Sequence, residues 1–184
     1  MSSVAADKAE LRKSIRQART DRRPIADEAT RLSEQLGQFC IDNKLRTVAA
    51  YFPMEGEPDI SEFLSWALKN GIQIVLPVVA GDQLNWVLFD GTTKSGELGF
   101  EEGAGKPAKL ESVDAAFIPA MAVDFNGNRL GKGKGFYDRA LENSKLKTIA
   151  VVFDEEILMH LPSEVHDQKV AAAISPSKLL WFGN

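Results

Sequence analysis

The strongest constraint on the fold is an alternation. Segments with apolar residues at helical spacing are followed repeatedly by short, near-continuous apolar runs. Leu11, Ile15 and Ala18 mark one helical stripe. A second helix is predicted over about residues 24–42, with Ala29, Leu32, Leu36 and Phe39 inward, and a third around Phe63, Leu64, Ala67 and Leu68. Asn70-Gly71 ends the third, as glycine commonly does. Asp7 with Glu10, and Asp59 with Glu62, have capping-box spacing with Asp in place of Ser/Thr. Residues 72–79 form an apolar run of the kind expected for a strand buried on both faces. Residues 84–89 are expected to return antiparallel after Gly81-Asp82, and further strands are predicted at 47–52, 115–123 (interrupted by Pro119), 148–153 and 170–174. Short helices are predicted at 136–142 and 155–161, and a long, partly mobile loop at 90–112.

Strands separated by helices imply βαβ units, a mainly parallel sheet and helices on both faces. The 184 residues suit one α/β domain, 1–184, with a sizeable core. Ligands of such sheets bind beyond the carboxyl ends of the strands. Loops beginning at Pro53, Asp124 and Asp154 leave strands at that edge and are expected to converge.

The motif richest in chemistry follows the 115–123 run: Arg129-Leu130-Gly131-Lys132-Gly133-Lys134-Gly135-Phe136-Tyr137-Asp138. Alternating glycines leave backbone N–H groups uncovered and let the chain approach an anion closely. Successive uncovered N–H groups can form an anion-binding nest, and Arg129, Lys132 and Lys134 add positive charge. Asp138 beside such a cradle makes most sense with a divalent cation between carboxylate and phosphate. No Gly-Lys-Ser/Thr triplet ends the loop, and its G-x-G-x-G spacing is not a dinucleotide fingerprint. A flexible, solvated turn would have similar composition.

Other candidates are dispersed. Lys8 and Arg12, four apart, share one helix face and could reach phosphates, or could simply be solvated. Glu55 and Glu57 would point the same way in an extended segment. One of them, against Phe52 and Met54, could hold the N–H groups of a flat heterocycle; an ordinary Pro/Gly-rich turn reads equally well. Asp167 could be a second metal carboxylate or merely an exposed residue. Magnesium takes one or two protein carboxylates plus substrate phosphates, which two aspartates and a nucleotide satisfy.

The net charge of −4 argues against a general nucleic-acid binder. Residues 1–23 carry seven basic and three acidic groups, so the remainder holds −8, a balance suited to a small polyanionic ligand. No apolar run is long enough to span a bilayer, and residues 1–7 lack the apolar core of a secretory signal. Cys40 is the only cysteine and reads as a buried hydrophobe, which favours the cytoplasm. His160 and His166 lack companions for a zinc site, and Trp66, Trp86 and Trp181 read as packing residues.

Residues 122–139 resemble the signature of the 5-formyltetrahydrofolate cyclo-ligase family, also called methenyltetrahydrofolate synthetases. That signature is an apolar residue, Asp, two variable residues and Gly, then Arg-Leu-Gly-x-Gly-x-Gly-Tyr-Tyr-Asp. Lys8 with Arg12, Phe52 with Glu57, and His166-Asp167 match more weakly, so the resemblance covers nearly the whole chain. It implies a three-layer α/β/α domain, NagB/RpiA/CoA-transferase-like, and conversion of 5-formyltetrahydrofolate and MgATP to 5,10-methenyltetrahydrofolate, ADP and phosphate. It implies ATP contacts at Lys8, Arg12, Arg129, Leu130, Gly131, Lys132, Gly133, Lys134, Gly135, Phe136 and Tyr137. Folate contacts are implied at Phe52, Glu57, Lys132, Gly133, Lys134, Gly135 and Phe136, and magnesium at Asp138 and Asp167. Lys134 and Arg129 are the expected catalytic residues, Glu57 the residue orienting the pterin. A cytoplasmic monomer acting on small molecules, with no nucleic acid or membrane partner, is the matching expectation.

The chain departs from the family pattern twice. Phe136 stands where the family often has the first tyrosine, removing a hydroxyl, and Ala171 and Ile174-Ser175-Pro176 replace a further Asp and a Thr-Asp/Glu ending. Two rival readings keep the same loop: another small-molecule phosphotransferase, or a catalytically silent module binding folate or RNA.

Overall fold

In a computed structural model, which describes residues 3–97, 99–142, 144–165 and 167–183, the expected alternation is present. The chain runs α1 (Ser3–Asp21), α2 (Glu28–Asp42), β1 (Thr47–Ala49), α3 (Ser61–Lys69), β2 (Gln73–Ala80) and β3 (Gln83–Phe89). It continues through β4 (Thr93–Ser95), β5 (Glu101–Gly103), β6 (Ala115–Pro119), β7 (Ala122–Asp124), β8 (Arg129–Leu130) and α4 (Phe136–Leu141). The last elements are β9 (Lys147–Val151), β10 (Ile157–Leu158), β11 (Ala172–Ile174) and β12 (Leu179–Trp181).

Seven strands form the main sheet in the order β12-β11-β9-β6-β1-β2-β3. The five central strands are parallel, and β3 and β12 close the edges antiparallel. Successive side chains of a strand point to opposite faces. Ile74, Leu76, Phe117, Ile149 and Val151 pack with Leu32, Leu36 and Phe39 of α2 and Phe63 of α3. Val75, Ala116, Ile118 and Ala150 pack on the opposite face with Leu141 of α4. Both faces are dry, which is why these strands read as unbroken apolar runs. Phe117 meets Phe39 and Phe63 edge-on, at centroid distances of 5.7 and 5.4 Å, and ties both helices to the sheet. Residues 104–108 run beside β3: Leu88 N donates to Lys106 O at 2.7 Å and Ala108 N to Trp86 O at 2.9 Å. Gly105 permits that approach, since a Cβ there would lie 1.7 Å from the Leu88 carbonyl oxygen.

A second sheet, β10-β7-β8, carries the glycine loop. Its apolar side receives α1: Ile15 packs with Met121, Ala122, Leu130 and Leu161. Arg19 fastens the same helix, donating from Nε to Glu156 Oε1 at 2.6 Å and from Nη2 to Ala120 O at 2.7 Å. Burial pushes the Glu156 carboxyl up, and Arg19 only partly offsets it. Arg22 bonds Glu28 and Glu155 and lies 3.9 Å over the Phe153 ring.

Several local expectations are corrected. Helix α1 begins at Ser3, so Asp7 lies inside it rather than capping it. Helix α2 begins at Glu28, after Asp27 in the left-handed region (φ 58°), and Pro24 lies outside it. Asp59 forms no capping box; its Oδ1 instead accepts from Ser61 N at 2.9 Å. Residues 90–112 contain the β4–β5 hairpin rather than one long loop. Residues 115–123 are two strands in different sheets, and the chain changes sheet where Met121 N donates to Leu130 O at 2.8 Å. Residues 155–161 form no α-helix: a single 3-10 turn covers Asp154–Glu156, and Ile157 and Leu158 then pair with Val123 and Asp124. The short β12 was not expected.

Candidate active site

The glycine loop leaves β8 and enters α4 beneath α1. Arg12 Nε donates to Gly131 O at 2.8 Å, and Arg16 Nη2 to Lys132 O at 3.3 Å. Gly133 and Gly135 have φ of 101° and 67°, left-handed values that glycine adopts without strain. Among the described residues, the amides of Lys132, Gly133 and Lys134 donate to no protein acceptor. The loop is therefore a run of uncovered N–H groups flanked by guanidinium and ammonium groups. Burial and the neighbouring Arg16 lower the pKa of Arg12, while Asp138 and Asp167 oppose that lowering, so both aspartates lie in its field.

Cations and carboxylates pair across the site. Arg129 Nη2 meets Asp138 Oδ1 at 2.5 Å, and Lys8 Nζ meets Asp167 Oδ2 at 2.5 Å and Glu164 Oε2 at 3.4 Å. Lys132 Nζ meets Glu57 Oε1 at 2.7 Å and Met54 Sδ at 3.6 Å. The Glu57 side chain is only 4% exposed while that of Lys132 is 42% exposed, so the loop lysine reaches in from solvent to a buried carboxylate.

The turn after β1 sets Glu57. Glu57 N donates to Met54 O, and Met54 N to Glu57 Oε2, both at 2.9 Å. Tyr51 closes the loop behind it, donating from its hydroxyl to Pro58 O at 2.7 Å. This turn corrects the extended reading: Glu55 is exposed, Glu57 is buried, and they do not share a direction. Phe52 packs against the first core cluster. Half-buried Tyr137 feels both Glu57 and Arg129: burial pushes its phenol up, Glu57 adds to this and Arg129 opposes it. A cavity of about 90 Å³ borders Arg129, Tyr137, Asp138, Thr148 and Lys169.

These contacts bring together Lys8, Arg12, Glu57, Arg129, Gly131, Lys132, Asp138 and Asp167, drawn from four separated segments. Leu130 is a core residue whose side chain faces Ile15. Lys134 is exposed, with Nζ 5.8 Å from the Phe136 ring centre. Of the three loops expected to converge, the one beginning at Pro53 meets the glycine loop that continues from Asp124, through Glu57 and Lys132. Asp124 is a fully buried structural acceptor, and Asp154 binds Ser175 and Ser177. His166 lies outside the described residues. Arg16 was missed, although its spacing of four from Arg12 repeats that of Lys8 and Arg12. No group of three potential metal ligands occurs among the described residues. Asp138 and Asp167 both act electrostatically on Arg12, and carboxylates are the donor type that magnesium takes from a protein.

The model of the 5-formyltetrahydrofolate cyclo-ligase family matches residues 4–176. The chain belongs to this family. The 5-formyltetrahydrofolate cyclo-ligase of Mycolicibacterium smegmatis is 36% identical over 145 residues, 72% of this chain and 75% of the relative. That of Escherichia coli K12 is 29% identical over 144 residues, 72% and 79% of the two chains. The NMR structure of Aquifex aeolicus 5,10-methenyltetrahydrofolate synthetase superposes with a TM-score of 0.85 at 26% identity, covering 96% of this chain and 93% of that one. The large, mainly parallel α/β sheet is thus a cyclo-ligase fold, and the expectation of a folate ligase is met at the level of the family. In this cyclo-ligase-family chain Phe136 sits between Lys134 Nζ, at 5.8 Å, and Arg139 Cζ, at 5.5 Å. Two cations thus flank the ring where the family often has tyrosine.

Proposed function

We propose that this chain converts 5-formyltetrahydrofolate and MgATP to 5,10-methenyltetrahydrofolate, ADP and phosphate. The observation that carries the reading is the contact of two half-sites: Lys132 of the phosphate-ready loop bonds Glu57, the buried carboxylate suited to pterin N–H groups, at 2.7 Å. A triphosphate on the loop and a pterin on Glu57 would be neighbours.

A formamide carbonyl is a poor electrophile because nitrogen donates into it. Transfer of the γ-phosphoryl group to the formyl oxygen makes that oxygen a leaving group. N10 then attacks the formyl carbon and loses its proton, the carbon–oxygen bond breaks, and inorganic phosphate departs as the ring closes. Phosphoryl transfer needs positioning and charge neutralisation rather than a protein nucleophile. Arg129 and Lys134 would stabilise charge on the moving phosphoryl group, Lys8 and Arg12 would hold the remaining phosphates, and Glu57 would orient the pterin. Asp138 and Asp167 would hold magnesium, which supplies charge neutralisation to the phosphates when bound.

Ligand binding in this scheme exchanges partners within existing ion pairs. Arg129 and Lys8 pass from Asp138 and Asp167 to phosphate as the aspartates pass to the metal, so net charge need not accumulate. The same reading takes the protein as a monomer acting on small molecules in the cytoplasm, without nucleic acid or membrane partners. The superfamily suggested by the resemblance, NagB/RpiA/CoA-transferase-like, suits a site at the mouth of a parallel sheet. The test is purified protein with 5-formyltetrahydrofolate and MgATP, following methenyltetrahydrofolate absorbance and phosphate release. ATP consumption without folate would instead indicate another phosphotransferase, and ligand binding without phosphate release a silent module.

A further inference from the structure

We infer that Arg16 is a positioning residue that, with Arg12, orients the amides of the glycine loop. This rests on the reading that the loop holds nucleotide phosphates. The two arginines lie one helical turn apart on α1 and hold consecutive carbonyls: Arg12 Nε that of Gly131 at 2.8 Å, Arg16 Nη2 that of Lys132 at 3.3 Å. In a planar trans peptide the C=O and the following N–H point in opposite directions. Holding the Gly131 carbonyl toward α1 therefore turns the Lys132 N–H away from it, and holding the Lys132 carbonyl does the same for Gly133. Neither amide has a protein acceptor among the described residues. Left-handed Gly133, at φ 101°, and Gly135, at φ 67°, supply the curvature of an anion nest.

The placement of Arg16 supports this. Its charge lowers the pKa of Arg12, so two like charges are held close together, which a solvated Arg16 could avoid by swinging away. The carbonyl contacts give a reason for the approach. Arg12 uses only Nε on the loop, so the outer nitrogens of its fork can still reach phosphate oxygens. Arg16 thus contributes through the loop rather than by touching substrate.

The test uses the full-length chain labelled with ¹⁵N, titrated with MgADP, with the Lys132 and Gly133 amides followed individually. Both should move downfield in the wild type. In Arg16→Met, which keeps the aliphatic stem and removes the donors, Gly133 should lose at least half of its shift while Lys132, still oriented by Arg12, keeps its own. MgADP should bind about three- to tenfold more weakly, the loss of one hydrogen bond, and Arg16→Lys should recover most of both effects. A Gly133 shift unchanged in Arg16→Met would overturn the inference, including where affinity falls, because Arg16 would then act only as a charge. If MgADP moves neither amide in the wild type, the phosphate reading fails as well.

Discussion

Asp124→Asn separates holding the glycine loop in place from doing its chemistry. Asp124 is fully buried at the end of β7, and its carboxylate accepts four hydrogen bonds. Oδ1 accepts from Asn126 N at 2.9 Å and Asn128 N at 3.0 Å; Oδ2 accepts from Asn128 Nδ2 at 2.8 Å and Leu161 N at 3.0 Å. The amide has the same shape, but one acceptor oxygen becomes an NH₂ facing two donors. Two hydrogen bonds to a charged group are lost, at about 1.5–3 kcal/mol each, so the expected cost is roughly 3–6 kcal/mol. For a chain of this size that lowers Tm by about 6–24 °C. Burial pushes the Asp124 carboxyl up, but the bonds from Asn128, Leu161 and Asn126 outweigh it and leave the pKa below the usual carboxylate value. A depressed folded-state pKa contributes stability above the unfolded value, near ~3.9, and loses it as pH falls through the folded value. The Tm gap between wild type and variant should therefore be full at pH 7 and narrow below about pH 4. Thermal unfolding followed by circular dichroism reads both quantities. Midpoints within about 2 °C of each other at pH 7, well short of the expected shift, would refute the reasoning; so would a gap that widens on acidification.

Lys134→Ala should lower turnover by about 100-fold or more, as expected for removal of a transition-state charge partner, while denaturant unfolding of this exposed site stays within about 0.5 kcal/mol of wild type. Arg19→Met leaves Glu156 buried without its partner and should cost about 3–5 kcal/mol in urea unfolding. Because burial already raises the Glu156 pKa, protonation favours the folded state, so that loss should be smaller at pH 5 than at pH 8. Glu57→Gln should weaken a folate analogue about 10- to 100-fold by calorimetry and leave MgADP affinity nearly unchanged; equal losses for both ligands would detach Glu57 from the pterin. Cys40 is buried and its thiol is pushed up to about 12, so a thiol reagent at pH 8 should modify it only after denaturation.

The legible part of the fold is the part governed by local periodicity. The parallel centre follows from apolar runs such as the one around Ile74 and Leu76, whose two-sided burial leaves no polar positions to break the pattern. The stripes of α2 and α3 mark their buried faces for the same reason. Illegible segments take their conformation from distant partners. Ile157 and Leu158 lie in a segment expected to be helical yet form a strand, paired with the distant Val123 and Asp124. β4 and β5 have three residues each, too few to carry an alternating pattern, and the buried positions of β5 are a glutamate and a glycine. Asp124 looked like the start of a site loop, since sequence alone does not show that the amide it must satisfy belongs to Leu161, 37 positions away.

The site divides in the same way. The glycine spacing announces a loop with uncovered amides because that property is local. Which way the amides face is not local: it depends on α1, more than a hundred residues earlier, whose arginines hold the loop's carbonyls. Seating α1 there requires Ile15 among Met121 and Leu161 and the Arg19–Glu156 pair; the helical stripe marks Ile15 as inward but does not say what it packs on, and the ion pair has no sequence signature. Lys8 and Arg12 thus read as an ordinary basic face until the fold places them over the loop. The chemistry of this site was visible in residue types, whereas its direction was set by packing between segments far apart in the chain.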